Sequence, residues 1–378
     1  MLTIGIVEGM TSTAPTAATR GAGAPPAATQ DGVAPPSRAR RLVCWATAAG
    51  MLPYFALKIS WLSGSTVGIA DRTLAESSTL YALNMITLGM DLLALLTALA
   101  LTYRWGLRLP VWLLGFPMWV ATGFLGTITL ATPLGFLATA LGGTRLAPRT
   151  GELLHPWVYG MVYTAFTAQG LGLAIAFVLH LRARWPRLFT GRVRDLATGP
   201  STVVQPVLAA ALGAIAVGVA GLDLYWACGG TGGLPAEAVA GRTATGQTVV
   251  AVFGLFALTA AAGVAVLVRR RSRARLALPL AAAWLGSGSL FSWGLWDAVA
   301  QALQPFQHDP TNGRATPLQS LLVTFQTPTG ALLALLGLLA LLEGLAVHRS
   351  QSEDHPQPAD GPREECADHE DRETSAAN

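Results

Sequence analysis

Five residues that can carry charge fall within or beside long apolar runs: Lys58, Asp91, Asp223, Asp297 and Glu343. A charged side chain at the centre of a membrane helix costs roughly 2.5–3.5 kcal/mol on insertion scales. Such a group therefore pairs across helices, serves a proton, ion or solute, or escapes to water. Asp91 is the eleventh residue of a 23-residue apolar segment, near its middle, and is the most costly of the set. Lys58 is the only lysine; the other 24 basic residues are arginine. It lies about four residues, or ~6 Å, from the exit of its helix. Asp223 and Asp297 also fall near outer helix ends, beside Trp226, Trp293 and Trp296, and Trp61 accompanies Lys58. Indole rings at such a level suit a membrane–water interface.

Three outcomes are open for Lys58: its ammonium snorkels to the outer interface, pairs with Asp223 or Asp297, or belongs to a ligand or ion site. Glu343 lies a turn from the cytoplasmic end of its segment, within reach of water. Lys58, Asp91, Asp223 and Asp297 make up the candidate intramembrane polar site. No His-Glu-x-x-His, Gly-x-Ser-x-Gly or Walker pattern is present. Ser287 and Ser289 in "LGSGSLFSWG" read as small packing residues, with His180 at the opposite end of its own helix. An enzyme is not expected, nor are a cofactor, a metal or a nucleic-acid partner. The Cys-x-x-His spacing at Cys366 and His369 supplies only two potential ligands.

The elements that must position these groups are membrane helices. Of the 378 residues, 52% are hydrophobic and 12% charged, about half the charge of a soluble domain. Apolar runs near the ~20 residues that cross a bilayer recur at 42–62, 81–103, 110–132, 157–181, 203–226, 245–268, 277–300 and 321–347. Pro117 and Pro133 leave the third open to a kink or a re-entrant path. Alternate connections carry 19 arginines against five, which places both ends of an eight-span chain on the cytoplasmic side. Cys44, Cys228 and Cys366 then fall inside, outside and inside, so no disulfide framework is expected. The arginine-over-lysine bias, with abundant Ala and Gly, suggests a GC-rich bacterial genome, so the expected location is a bacterial cytoplasmic membrane.

The chain also repeats itself. Residues 56–68, "ALKISWLSGSTVG", align with 221–233, "GLDLYWACGGTGG", at an offset of 165. "WVATGFL" at 119–125 matches "WLGSGSL" at 284–290 at the same offset, and "TAQG" at 167–170 matches "TPTG" at 327–330 at 160. The expected fold is an all-α membrane bundle of eight transmembrane helices in two parallel four-helix repeats. The first spans 41–184 and the second 202–349, with a basic connection at 185–201. Disordered tails are expected at 1–40 and at 350–378, the latter with nine acids and two arginines. Gly330, Gly337 and Gly344 form a smooth stripe suited to helix packing, as do Ala210, Ala214 and Gly218. The Gly-rich exits "SGSTVG" and "CGGTGG" read as turns out of the membrane, with an anion-binding nest as the alternative.

"LPYFALKISWLSGSTVG" at 52–68 resembles a stretch of uncharacterised multi-pass membrane proteins of actinobacteria. The resemblance implies membrane location and no activity. Beyond the bilayer itself, parallel repeats and outer-level charges favour binding or transport of a small solute or ion through a cavity between the halves. The alternatives are a non-transporting structural or partner-binding membrane protein and, third, a membrane-embedded enzyme.

Overall fold

The computed structural model describes residues 37–70, 78–141, 154–303 and 315–353. The expected tails fall mostly outside these residues, as do Arg72, Arg145, Arg149, Arg314 and the Cys366–His369 spacing. The described residues contain helices and no strand, apart from two isolated bridges. The long helices are α1 (Arg38–Leu62), α2 (Ser78–Thr102), α3 (Val111–Leu141), α4 (Pro156–Arg184), α5 (Gln205–Ala227), α6 (Ala244–Arg269), α7 (Ala277–Leu303) and α8 (Pro317–Glu353). Seven of them are long and apolar enough to cross a membrane, which fits a multi-pass membrane protein. The exception is α7, also expected as a span. Gly286, Ser287, Gly288, Ser289 and Ser292 dilute its apolar content, and these same residues make its contacts.

Local chemistry sets several ends. The Ser37 hydroxyl accepts the Arg40 amide at 3.3 Å and starts α1. Thr243 does the same for α6 through Gly246, at 3.0 Å. The exits of α1 and α5 are Schellman turns. Gly64 at φ 88° and Gly229 at φ 101° supply the left-handed residue. The Ser65 amide then donates to Ser60 O at 2.9 Å, and the Gly230 amide to Tyr225 O at 2.9 Å. Each turn is closed by an indole: Trp61 Nε1 donates to Val67 O at 2.7 Å, and Trp226 Nε1 to Gly232 O at 2.9 Å. These amides satisfy helix carbonyls, as a turn that ends a helix requires.

The third apolar segment is one continuous helix running nine residues past its expected end, through both Pro117 and Pro133. A proline inside a buried helix is tolerated where neighbouring helices re-satisfy the freed groups, and α3 packs on α2, α4, α6 and α7. Within the first half α1 packs on α2 and α4, and α3 on the same two; α5 and α7 pack likewise on α6 and α8. The halves meet where α3 lies against α6 and α7.

That meeting is a backbone contact. A Cβ on Gly123 would fall on the Gly288 carbonyl carbon, and one on Gly288 would lie 2.6 Å from Trp119 O. Reciprocal hydrogen bonds flank it: Trp119 Nε1 donates to Ser287 Oγ at 3.1 Å, and Trp284 Nε1 to Thr122 Oγ1 at 2.8 Å. Thr127 and Ser289 share a further hydroxyl bond at 3.0 Å. Phe124 stacks on Trp293 with centroids 4.2 Å apart. Two smaller clusters of apolar side chains, around Met118 in the first half and Leu333 in the second, form the cores on either side.

A side chain cannot be added at this contact without parting the helices. Gly288→Val should lower stability by about 1–3 kcal/mol, as overpacking does. Gly115→Ala on α3, where a Cβ meets nothing within 4 Å, should not lower it and should raise it by up to about 1 kcal/mol. Unfolding titrations in mixed micelles would read both.

Candidate functional site

Lys58 is completely buried, and its Nζ lies 2.7 Å from Asp91 Oδ2. The two helices run in opposite directions, since Arg40 near the start of α1 bonds Leu101 O near the end of α2. Helical side chains lean toward the N-terminus of their own helix. Lys58 thus leans back along α1, Asp91 leans back along α2, and the groups converge. Eighteen residues separate Arg40 from Lys58 and ten separate Asp91 from Leu101. At ~1.5 Å per residue the mismatch is ~12 Å, which the two long basic side chains and helix tilt absorb.

Aromatic rings complete the surroundings. Tyr54, one turn before Lys58, places its ring centroid 4.3 Å from Nζ, and Phe166 of α4 lies at 5.8 Å. The two rings meet edge to face at 5.3 Å. An ammonium over a desolvated ring gains about 2 kcal/mol. The site is thus a closed charge pair among α1, α2 and α4, with one carboxylate and two π-faces replacing water.

This corrects the expectation for Lys58. It neither snorkels outward nor meets Asp223 or Asp297. The offset of 165 aligns Lys58 with Asp223 in the sequence, and alignment does not bring them into contact. Asp223 on α5 and Asp297 on α7 lie apart from Lys58, within electrostatic reach of each other. The four candidate residues are therefore not one site: Lys58 and Asp91 form a bonded pair, and Asp223 and Asp297 stand on α5 and α7. The halves touch where Gly123 of α3 meets Gly288 of α7. A cleft of about 40 Å³ lies where α1 ends and α2 begins, lined by Trp61, Ser65, Tyr81 and Asn84 among others. At roughly 10–15 Å³ per water it accommodates about three.

Glu343 also departs from its expected solvated state. Its carboxylate accepts the Ser201 amide at 2.7 Å, the Ser201 hydroxyl at 2.9 Å and Gln205 Nε2 at 2.7 Å. Arg270 approaches it at 3.3 Å, and also bonds Gln205 Oε1 and the carbonyls of Ala197 and Ala340. Arg270 takes a left-handed φ of 52°, which turns its side chain inward from the arginine run. This clasp ties the 197–202 segment to α8. Nothing in "RRRSRAR" distinguishes Arg270 from its neighbours, so the clasp had no signal in the sequence. Tyr54 did have one: it is one helical turn from Lys58, and i, i+4 residues share a face.

At the opposite end of the first half, His180 Nδ1 lies 3.2 Å from Leu101 O and 3.4 Å from Arg40. Among the described residues no group of three His, Cys, Asp or Glu could hold a metal, and Cys44 and Cys228 are free thiols. The chain matches no family model, no curated protein and no solved structure.

Removing one member of a buried pair strands the other. Lys58→Met and Asp91→Leu should each lower stability by about 3–5 kcal/mol, while the double variant recovers most of the loss. Micellar unfolding of the three proteins gives the double-mutant cycle. Glu343→Ala should release the Ser201 amide, seen as faster hydrogen exchange in peptides spanning 197–204 with exchange around Lys58 unchanged.

Proposed function

We propose that this protein is a non-transporting membrane scaffold: two parallel four-helix repeats, eight crossings with both ends cytoplasmic, in a bacterial cytoplasmic membrane. Its helices hold an arginine-rich cytoplasmic surface in place for a partner. The observation that carries this reading is the backbone contact of Gly123 with Gly288, bracketed by two tryptophan–hydroxyl bonds. A pathway between the halves would have to open there and break these bonds. The eight-span topology draws support from the arginine distribution, and the repeat from turn and indole bonds that recur 165 residues apart.

A second reading is favoured by one observation, the closed Lys58–Asp91 pair. Intramembrane charges mark binding sites by default. In this reading a small ionic solute replaces one partner within the first repeat, and the path does not run between the halves.

A cross-link separates these readings. The Thr127 and Ser289 hydroxyls lie 3.0 Å apart, so cysteines at both positions should close a disulfide that locks the halves. Proteoliposomes should take up no member of a panel of ions and small solutes above empty vesicles. Uptake that the lock abolishes would sink the scaffold reading. Uptake that survives the lock and is lost in Asp91→Asn would establish the second.

A further inference from the structure

Two loops at the arginine-rich end of the second half are joined into one platform. Arg192 bridges Arg275, and the Val193, Arg194 and Leu276 amides donate to Ala274 O, Ser272 O and Gly191 O at 3.1, 3.1 and 2.9 Å. The platform displays Arg192, Arg194, Arg271, Arg273 and Arg275, all exposed, and Arg269 stands at its edge as the last residue of α6. The carboxylate in these two loops, Asp195, is engaged with Arg194 at 3.6 Å.

Under this edge a groove of about 100 Å³ opens between α5 and α6, lined by Pro206, Ala209, Ala210, Ala265, Val268 and Arg269. Small side chains on both helices leave it. Ala265 and Arg269 are four residues apart, so the guanidinium stands over the groove on the same helix face. Its use differs from that of its neighbour. Arg270 is consumed by the clasp, whereas Arg269 makes no hydrogen bond or ion pair with any described residue.

We propose that this groove seats the first few methylenes of one acyl chain of an anionic phospholipid whose phosphate is held by Arg269, with the platform arginines supplying the surrounding field. Apolar walls facing lipid, an unused guanidinium at the mouth and a dense positive surface above match a negatively charged headgroup on an apolar tail. A free phosphate would have no use for the apolar walls, and a zwitterionic lipid none for the charge. The inference rests on the bilayer embedding alone and holds whether or not the halves move.

Full-length protein exchanged into neutral detergent, then offered phosphatidylglycerol or phosphatidylcholine, would be weighed by native mass spectrometry. The expected result is retained phosphatidylglycerol and no retained phosphatidylcholine. Arg269→Gln should lower retention about fivefold, the weight of one interfacial arginine. Ala210→Trp, which fills the groove from an exposed position, should lower it as far, and millimolar inorganic phosphate should not displace the lipid. Unchanged melting in neutral detergent checks that both variants fold. Equal retention of the two lipids overturns the proposal, as does full retention in Ala210→Trp or complete displacement by phosphate. Retention seen only after residues 354–378 are removed assigns the platform to the chain's own acidic tail, and overturns it for the intact protein.

Discussion

Where α3 crosses α7, neither helix carries a side chain at the point of approach: Gly123 lies against Gly288. Lipid offers no hydrophobic drive for helix association, so close approach and hydrogen bonds must supply it. Everything at the centre follows from the approach. It brings the Trp119 indole within reach of Ser287 and the Trp284 indole within reach of Thr122. It lays Phe124 flat on Trp293. Ser287 and Ser289, which lower the apolar content of α7, are thus also residues that seat it.

Around this shared centre the two halves balance their charges differently. The first half places its ion pair deep, and rings stand where water would. The second places its ion pair at the arginine-rich end, where Glu343 and Arg270 hold a connecting segment to α8. The position that carries Lys58 in one half carries Asp223 in the other, and the position of Asp91 carries Phe256. Lys58 has its partner, Asp91, within its own half. One aligned position thus carries a paired lysine in the first half and, in the second, a buried aspartate that no cation bonds among the described residues.

Much of the fold was legible. Apolar run lengths located all eight long helices, because a segment's hydrophobicity is local information. Glycines at 64 and 229 marked helix exits for the same reason: a left-handed residue ends a helix wherever it stands. Contacts across helices were less legible. Asp91 and Lys58 were both singled out by the cost of burying charge, yet their union depends on how far α2 slides along α1, which no residue type encodes. The offset of 165 paired Lys58 with Asp223, and a repeat reports sameness of place where proximity was wanted. Arg270 was hidden among like neighbours, since its role comes from a single backbone angle.

The indoles of Trp61 and Trp226 are each bonded to the turn that follows their own helix. Most interfacial tryptophans can swing along the membrane normal and re-seat when the bilayer thickens or thins. These two are fixed to their backbone by their only donor. A change of a few ångströms in hydrocarbon thickness must therefore be met by tilting α1 and α5 as rods or by deforming the lipid around them. Because α3 and α7 are held together at the centre, the two rods cannot tilt independently for free, and the bundle responds to bilayer thickness as one piece.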